Sequence, residues 1–188
     1  MQESKTRAFI AIDLPQDIRS RIAEISKSLD SSGIKVVGPE QLHITMFFLG
    51  YVDAGQLEAV KLAISDVSMR SFSVDLKGIG TFDARSPRVV FVDIAEGSEG
   101  LKEIYAHLFE GISALRIKTD EREFTPHITI ARLKRFTSRE TGAVNALVEK
   151  YPDYDFGAFL CTSIKLKKSV LARSGPEYTD IFVKELTA

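Results

Sequence analysis

Cysteine occurs once, at Cys161, so neither an intramolecular disulfide nor a cysteine-rich zinc site can form within the chain. Charge of one sign is also missing. Twenty-five basic residues meet 26 acidic ones, for a formal net charge of −1. A protein that wraps nucleic acid through bulk electrostatics needs a large positive excess. Any phosphate binding here must therefore come from a local cluster. No apolar run approaches the ~20 residues that span a bilayer, and the opening MQESKTRAFI lacks the apolar core of a secretory signal. There is no Gly/Ser or Pro tract and no like-charge block to mark a linker. These absences lead to the expectation of a soluble cytoplasmic monomer with no membrane partner. With 188 residues, 44% of them apolar and 27% charged, the composition is that of an ordinary globular protein, not a collagenous or disordered one.

What is present is a close succession of strand-like and helix-like segments. RAFIAIDL at 7–14 reads as a strand. Residues 16–29 place Ile18, Ile22, Ile25 and Leu29 on one helical face, ended by Ser31, Ser32 and Gly33. LHITMFFL at 42–49 is a strand stopped by Gly50. Residues 54–67 are a helix, 71–82 a strand of period two, 88–95 a strand, and 99–115 a helix carrying Leu101, Ile104, Leu108 and Ile112 on one stripe. After the polar stretch KTDERE comes PHITIARL as a strand, then a helix at 138–150. Residues 156–172 and 178–186 are strands joined around Ser174-Gly175-Pro176. Two of the strand pairs look hairpin-connected, which a doubly wound parallel sheet does not provide. The fold class is α+β with antiparallel or mixed sheets.

One internal echo carries the chemistry. His43-Ile44-Thr45-Met46 returns as His127-Ile128-Thr129-Ile130, and these two histidines are two of only three in the chain. Repetition of this kind suggests two similar lobes. Strand alternation puts His43, Thr45 and Phe47 on one face and Ile44, Met46 and Phe48 on the other. The same alternation sets His127 and Thr129 opposite Ile128 and Ile130. If the lobes face each other, two His-Thr pairs converge. An imidazole with an ordinary pKa of about 6.5 can take or give a proton near neutrality. In-line displacement at phosphorus needs one group of each kind, on opposite sides. Threonine hydroxyls can hold the non-bridging oxygens. Such chemistry demands no metal or other cofactor, and phosphodiester hydrolysis is its natural outcome. The competing reading makes each histidine an ordinary structural residue of a strand.

The paired tetrads resemble the two H-x-T-x motifs of the two-histidine (2H) phosphoesterase superfamily. Their flanks, RAFIAIDLP, LHITMFFLG and TPHITIARL, are similar to those of the RNA 2′,3′-cyclic phosphodiesterase family, also called LigT or 2′–5′ RNA ligase. So is the tail through Ser169-Val170-Leu171, Gly175 and Tyr178. The resemblance spans essentially the whole chain. It implies one bilobal, pseudo-twofold domain over residues 1–188, with two antiparallel sheets lining a central groove and helices on the outer faces. It also implies hydrolysis of RNA or nucleoside 2′,3′-cyclic phosphates to 2′-phosphates, with His43 as proton donor, His127 as proton acceptor, and Thr45 and Thr129 on the phosphate. Arg132, five residues after the second histidine, becomes a phosphate contact. Strict alternation puts it on the wrong face unless the strand ends or bulges.

Other candidates are weaker. Phe9 and Phe47 could stack a base or pack in the core. His107 and Cys161 read as structural. Lys134, Arg135, Lys165, Lys167 and Lys168 read as solvated surface or as an RNA track. Two alternatives stay open, namely 2′–5′ ligation at the same site and a non-catalytic RNA-binding module.

Overall fold

The computed structural model describes residues 5–31, 33–115, 117, 123–172 and 175–188. Ser32, Ser174 and most of the KTDERE stretch, to which the sequence assigns turns and a polar connection, lie outside the described residues. Among the described residues, nine strands and four α-helices follow in the order β1 (Thr6–Asp13), α1 (Gln16–Ser26), β2 (Ile34–Val36), β3 (His43–Val52), α2 (Ala54–Ser65), β4 (Phe72–Thr81), β5 (Val89–Glu96), α3 (Ser98–Ser113), β6 (Ile128–Leu133), α4 (Ser138–Lys150), β7 (Asp155–Cys161), β8 (Ser163–Ala172) and β9 (Gly175–Glu185). The class is α+β, as the sequence implies.

The helices form where the apolar stripes predict. Leu101, Ile104, Leu108 and Ile112 of α3 are all fully buried. The start of α2 is held by reciprocal bonds. Asp53 Oδ1 accepts from the Gln56 N–H at 2.8 Å, and the Gln56 side chain accepts from the Asp53 N–H at 3.1 Å. Together they satisfy two donors that a helix start otherwise leaves unpaired. α1 is shorter than its stripe suggests, because residues 27–29 tighten into a 3-10 turn.

The strands pair in the order β7-β4-β5-β6-β3-β1-β8-β9, with β2 added alongside β6. Every pairing between these strands is antiparallel. The resemblance implies two sheets, whereas the hydrogen-bonding path among the described residues is continuous. Four strands lie on each side of its middle, where β3 and β6 meet through one residue pair, Ile44↔Ile128. Both isoleucines are fully buried, as are Ile130 and, nearly, Met46. This apolar face packs under helices, with α3 against β3 and α1 against β6.

Two local expectations are corrected, and one strand is new. Residues 156–172 are not one strand. The chain breaks at Thr162, and the two pieces go to opposite halves, β7 pairing with β4 and β8 with β1. Gly50 does not stop β3. It sits inside the strand with a left-handed φ of 67°. The short strand β2 has no alternation long enough to announce it.

Gly97 shows where the backbone admits only glycine. It precedes α3 with φ 83°, and a Cβ there would lie 2.4 Å from the Ser73 carbonyl oxygen. Gly142 is the opposite case, in mid-α4 with nothing within 4 Å of a Cβ. Gly97→Ala is expected to lower unfolding stability by about 2 kcal/mol or more. Gly142→Ala should raise it by about 0.5–1 kcal/mol. Urea denaturation of the two variants reads both signs.

Candidate active site

The pair at Ile44↔Ile128 sets the register of the site. One residue to either side, His43 stands across from Thr129 and Thr45 across from His127. All four side chains project from the face opposite the buried isoleucines, since successive strand residues alternate. The two His-Thr pairs are thus brought together from residues more than 80 positions apart in the chain.

Both imidazoles are held in the same way. His43 Nδ1 lies 2.7 Å from the Gln41 carbonyl oxygen, and His127 Nδ1 lies 2.8 Å from that of Thr125. A carbonyl can only accept, so Nδ1 carries the hydrogen in each ring. Each neutral ring is then left with an unprotonated Nε2. The local cause is shared too, because in both motifs the acceptor is the residue two positions upstream. Pro126 holds Thr125 extended at the second of them.

The strands do not keep strict alternation past the threonines. Along β3 the partners on β1 run Ile12↔Ile44 and Ala11↔Thr45, then Ile10↔Phe47 and Phe9↔Phe48, leaving Met46 as an extra residue. Along β6 the partners on β5 run Val92↔Ile128 and Phe91↔Thr129, then Val90↔Ala131 and Val89↔Arg132, leaving Ile130 extra. Each motif therefore carries a bulge at the same position. A bulge inserts one residue and shifts the phase of everything beyond it. Met46 and Phe47 are both buried, as are Ile130 and Ala131, and the next residue, Phe48 or Arg132, emerges on the His-Thr face.

Two expectations change as a result. Arg132 is exposed beyond the bulge, and its charge has a lowering effect on His43, His127 and Tyr178. Phe47 is turned into the core. It is 4% exposed and stacks on Tyr105 with ring centroids 5.3 Å apart, while Phe48 is 55% exposed. Phe9 is buried at the site, its ring centroid 4.9 Å from that of His43 and 4.8 Å from that of Tyr178. It walls the imidazole and offers no open face.

Aromatic rings flank each histidine. Phe9 and Tyr178 pack on His43, and Phe82 and Phe91 pack on His127 at 5.0 and 5.4 Å. Phe48, Phe82 and Phe91 are additions that alternation alone misses. The doublets Met46-Phe47 and Ile130-Ala131 are the signal for the bulges, since two consecutive apolar residues break period two.

Burial in these ring cages disfavours the charged imidazole. It pushes His43 down to about 4. The Gln41 carbonyl opposes this most, then Lys167 and Arg132 lower it further and Asp13 raises it. His127 is also lowered by burial. Thr125 opposes, Arg132 adds to the lowering and Asp93 raises it. Asp13, paired across from His43, is neutralised by Lys165 and Lys167, each 2.9 Å away. Asp180 completes that cluster with contacts of 2.9 and 2.5 Å. Lys165 and Lys167 are thus neither solvated surface nor an open RNA track. Lys168, Lys134 and Arg135 are exposed. His107 is exposed on α3, and burial raises the Cys161 thiol to about 12, far from a reactive thiolate. Among the described residues, no three His, Cys, Asp or Glu side chains gather as a metal-ligand set. No described helix is long and apolar enough to cross a membrane.

A strand pair presenting two H-x-T motifs on one face defines a class, and comparison with known proteins gives the same class. The model of the 2′-5′ RNA ligase superfamily matches residues 14–168. The chain belongs to this superfamily of 2H phosphoesterases and, within it, to the RNA 2′,3′-cyclic phosphodiesterase family. Among its curated relatives of that name, one from Methanocaldococcus jannaschii is 39% identical, over 92% of this chain and 96% of its own length. Another, from Archaeoglobus fulgidus, is 35% identical over 95% of this chain and 99% of its own length. The crystal structure of E. coli LigT complexed with 3′-AMP superposes with a TM-score of 0.81. It is 26% identical, with 98% of this chain and 100% of that one covered.

Two outcomes test this geometry. Phe47→Ala should cost about 3–5 kcal/mol of stability, whereas Phe48→Ala should stay within about 0.5 kcal/mol, as read by thermal unfolding. In ¹⁵N NMR at pH 7, both motif histidines should be neutral with the proton on Nδ1. His43 should charge only near pH 4. The unfolded chain's imidazole charges below about 6.5, so stability contributed by neutral His43 falls as pH drops from 6.5 towards 4.

Proposed function

We propose that this chain, as one bilobal pseudo-twofold domain, hydrolyses 2′,3′-cyclic phosphates at RNA ends or on nucleotides to 2′-phosphates. The observation that carries the reading is the matched pair of imidazoles on one face, each anchored through Nδ1 with Nε2 left for proton transfer. A bulge at the same place in each motif supports the pseudo-twofold description. The relatives' names supply the substrate class.

In this scheme water attacks phosphorus, and His127 Nε2 takes its proton. The bond from phosphorus to O3′ breaks, and protonated His43 gives its Nε2 proton to O3′. The products are a 3′-hydroxyl and a 2′-phosphate. Protons then exchange with solvent to restore the starting states. Diagonal partners in an antiparallel pair stand about 7–8 Å apart, which leaves space for a tetrahedral phosphorus between the rings. Thr45, Thr129 and Arg132 bind the non-bridging oxygens, where charge builds up. No step calls on a metal.

His43 poses the one electrostatic problem. An acid pushed to about 4 is empty at neutral pH. The anionic substrate supplies the remedy, because a negative charge beside an imidazole favours its protonated form. Substrate binding and charging of His43 are therefore one event.

The test is turnover of a 2′,3′-cyclic mononucleotide in EDTA. Wild type should release the 2′-phosphate, and His43→Ala and His127→Ala should each lose about 10²–10⁴-fold in kcat. Release of the 3′-phosphate, or full activity in either variant, would overturn the mechanism. Joining of RNA halves without hydrolysis would identify ligation as the activity, and RNA binding with no turnover would identify a binding module.

A further inference from the structure

Beside His43, on the half built from β1, β3, β8 and β9, lies a small cavity of about 140 Å³ lined by Arg7, Phe9, His43, Phe48 and Tyr178. None of its lining side chains is acidic. Arg7 and Phe9 share one face of β1, two residues apart. Phe48 pairs across from Phe9, put there by the β3 bulge, and the Arg7 side chain continues the row. The Arg7 guanidinium is held in place, with Nη1 donating to Ser169 Oγ at 2.8 Å, and Ser169 is itself buried. That bond uses one of the five donors of the fork. Tyr178 shares the cavity with Arg7, and the charges of Arg7 and Arg132 both oppose the burial that raises its hydroxyl.

The layout is a guanidinium at the histidines, a set of rings, then a second fixed guanidinium. An RNA 3′ end with a terminal cyclic phosphate has the matching layout of an anion, a nucleoside, then a second anion. A free cyclic nucleotide has only the first anion. Of these rings Phe48 is open to a base, with Tyr178 beside it, and stacking accepts any base because it uses the π-face that all bases have. The fork geometry of arginine suits phosphate oxygens.

We propose that Arg7 is a specificity-determining residue that binds the phosphodiester on the 5′ side of the terminal nucleotide, so that the chain selects polynucleotide ends over free cyclic nucleotides. This rests on the function proposed above.

The experiment compares kcat/KM for adenosine 2′,3′-cyclic phosphate with that for the dinucleotide ApA carrying the same cyclic end. A second dinucleotide has its internal linkage replaced by an uncharged methylphosphonate. Wild type should prefer the charged dinucleotide by about tenfold or more, the scale of one hydrogen bond to a charged group. The methylphosphonate should lose that preference. In Arg7→Gln the dinucleotide-to-mononucleotide ratio should fall towards one, and Arg7→Lys should restore part of it. An unchanged ratio in Arg7→Gln, or equal use of charged and uncharged linkages, overturns the proposal. A binding arm separates it from the hydrolysis reading. Calorimetry with ApA 2′-phosphate and adenosine 2′-phosphate should show the same Arg7-dependent preference. Absent turnover with that preference intact removes the hydrolysis and keeps Arg7. Turnover with no preference in binding or rate does the reverse.

Discussion

Ile44 and Ile128 oppose each other in the middle of the sheet, and the register of the two His-Thr pairs follows from that one backbone pairing. Because strand side chains alternate, burying this pair commits the residues on either side to the opposite face. Hydrophobic burial at the centre therefore positions the histidines and threonines with no contact of their own. A slip of one residue at this pair would send both imidazoles into the apolar layer under α1 and α3.

The second constraint is the extra residue in each motif strand. Without the bulges, Arg132 would point into the core and Phe47 would face the site. With them, each strand delivers a histidine and a threonine in one phase and then changes phase to deliver one more group, a ring on one side and a guanidinium on the other. The two halves thus share a backbone device and differ in what it presents. The halves differ in electrostatics as well. Asp13 beside His43 is bound into a cluster with Lys165, Lys167 and Asp180, whereas Asp93 on the His127 side has no ion pair among the described residues. A site built by near-duplication needs such differences if one ring is to give a proton while the other takes one.

Enclosing both rings in aromatic side chains keeps them neutral in the free chain. The carbonyls of Gln41 and Thr125 then fix which nitrogen is protonated, so orientation and tautomer are set before any substrate arrives. This is preorganisation in the ordinary sense, with the cost of ordering met during folding.

Much of this was legible in the chain itself. Three histidines, two of them in matching tetrads, single out the candidate groups, and period two assigns them a common side. The helical stripes and the α4 boundaries at 138 and 150 are equally local. These features depend on neighbours within a few residues, which a sequence displays directly. What only tertiary structure decided is long-range. It split residues 156–172 between opposite halves of the sheet, ran the strands into one path, placed both bulges, and tied Lys165 and Lys167 to carboxylates on two other strands. A bulge exists only relative to a partner strand, and an ion pair only relative to a distant residue. Neither has a local signature strong enough to outweigh the alternation around it.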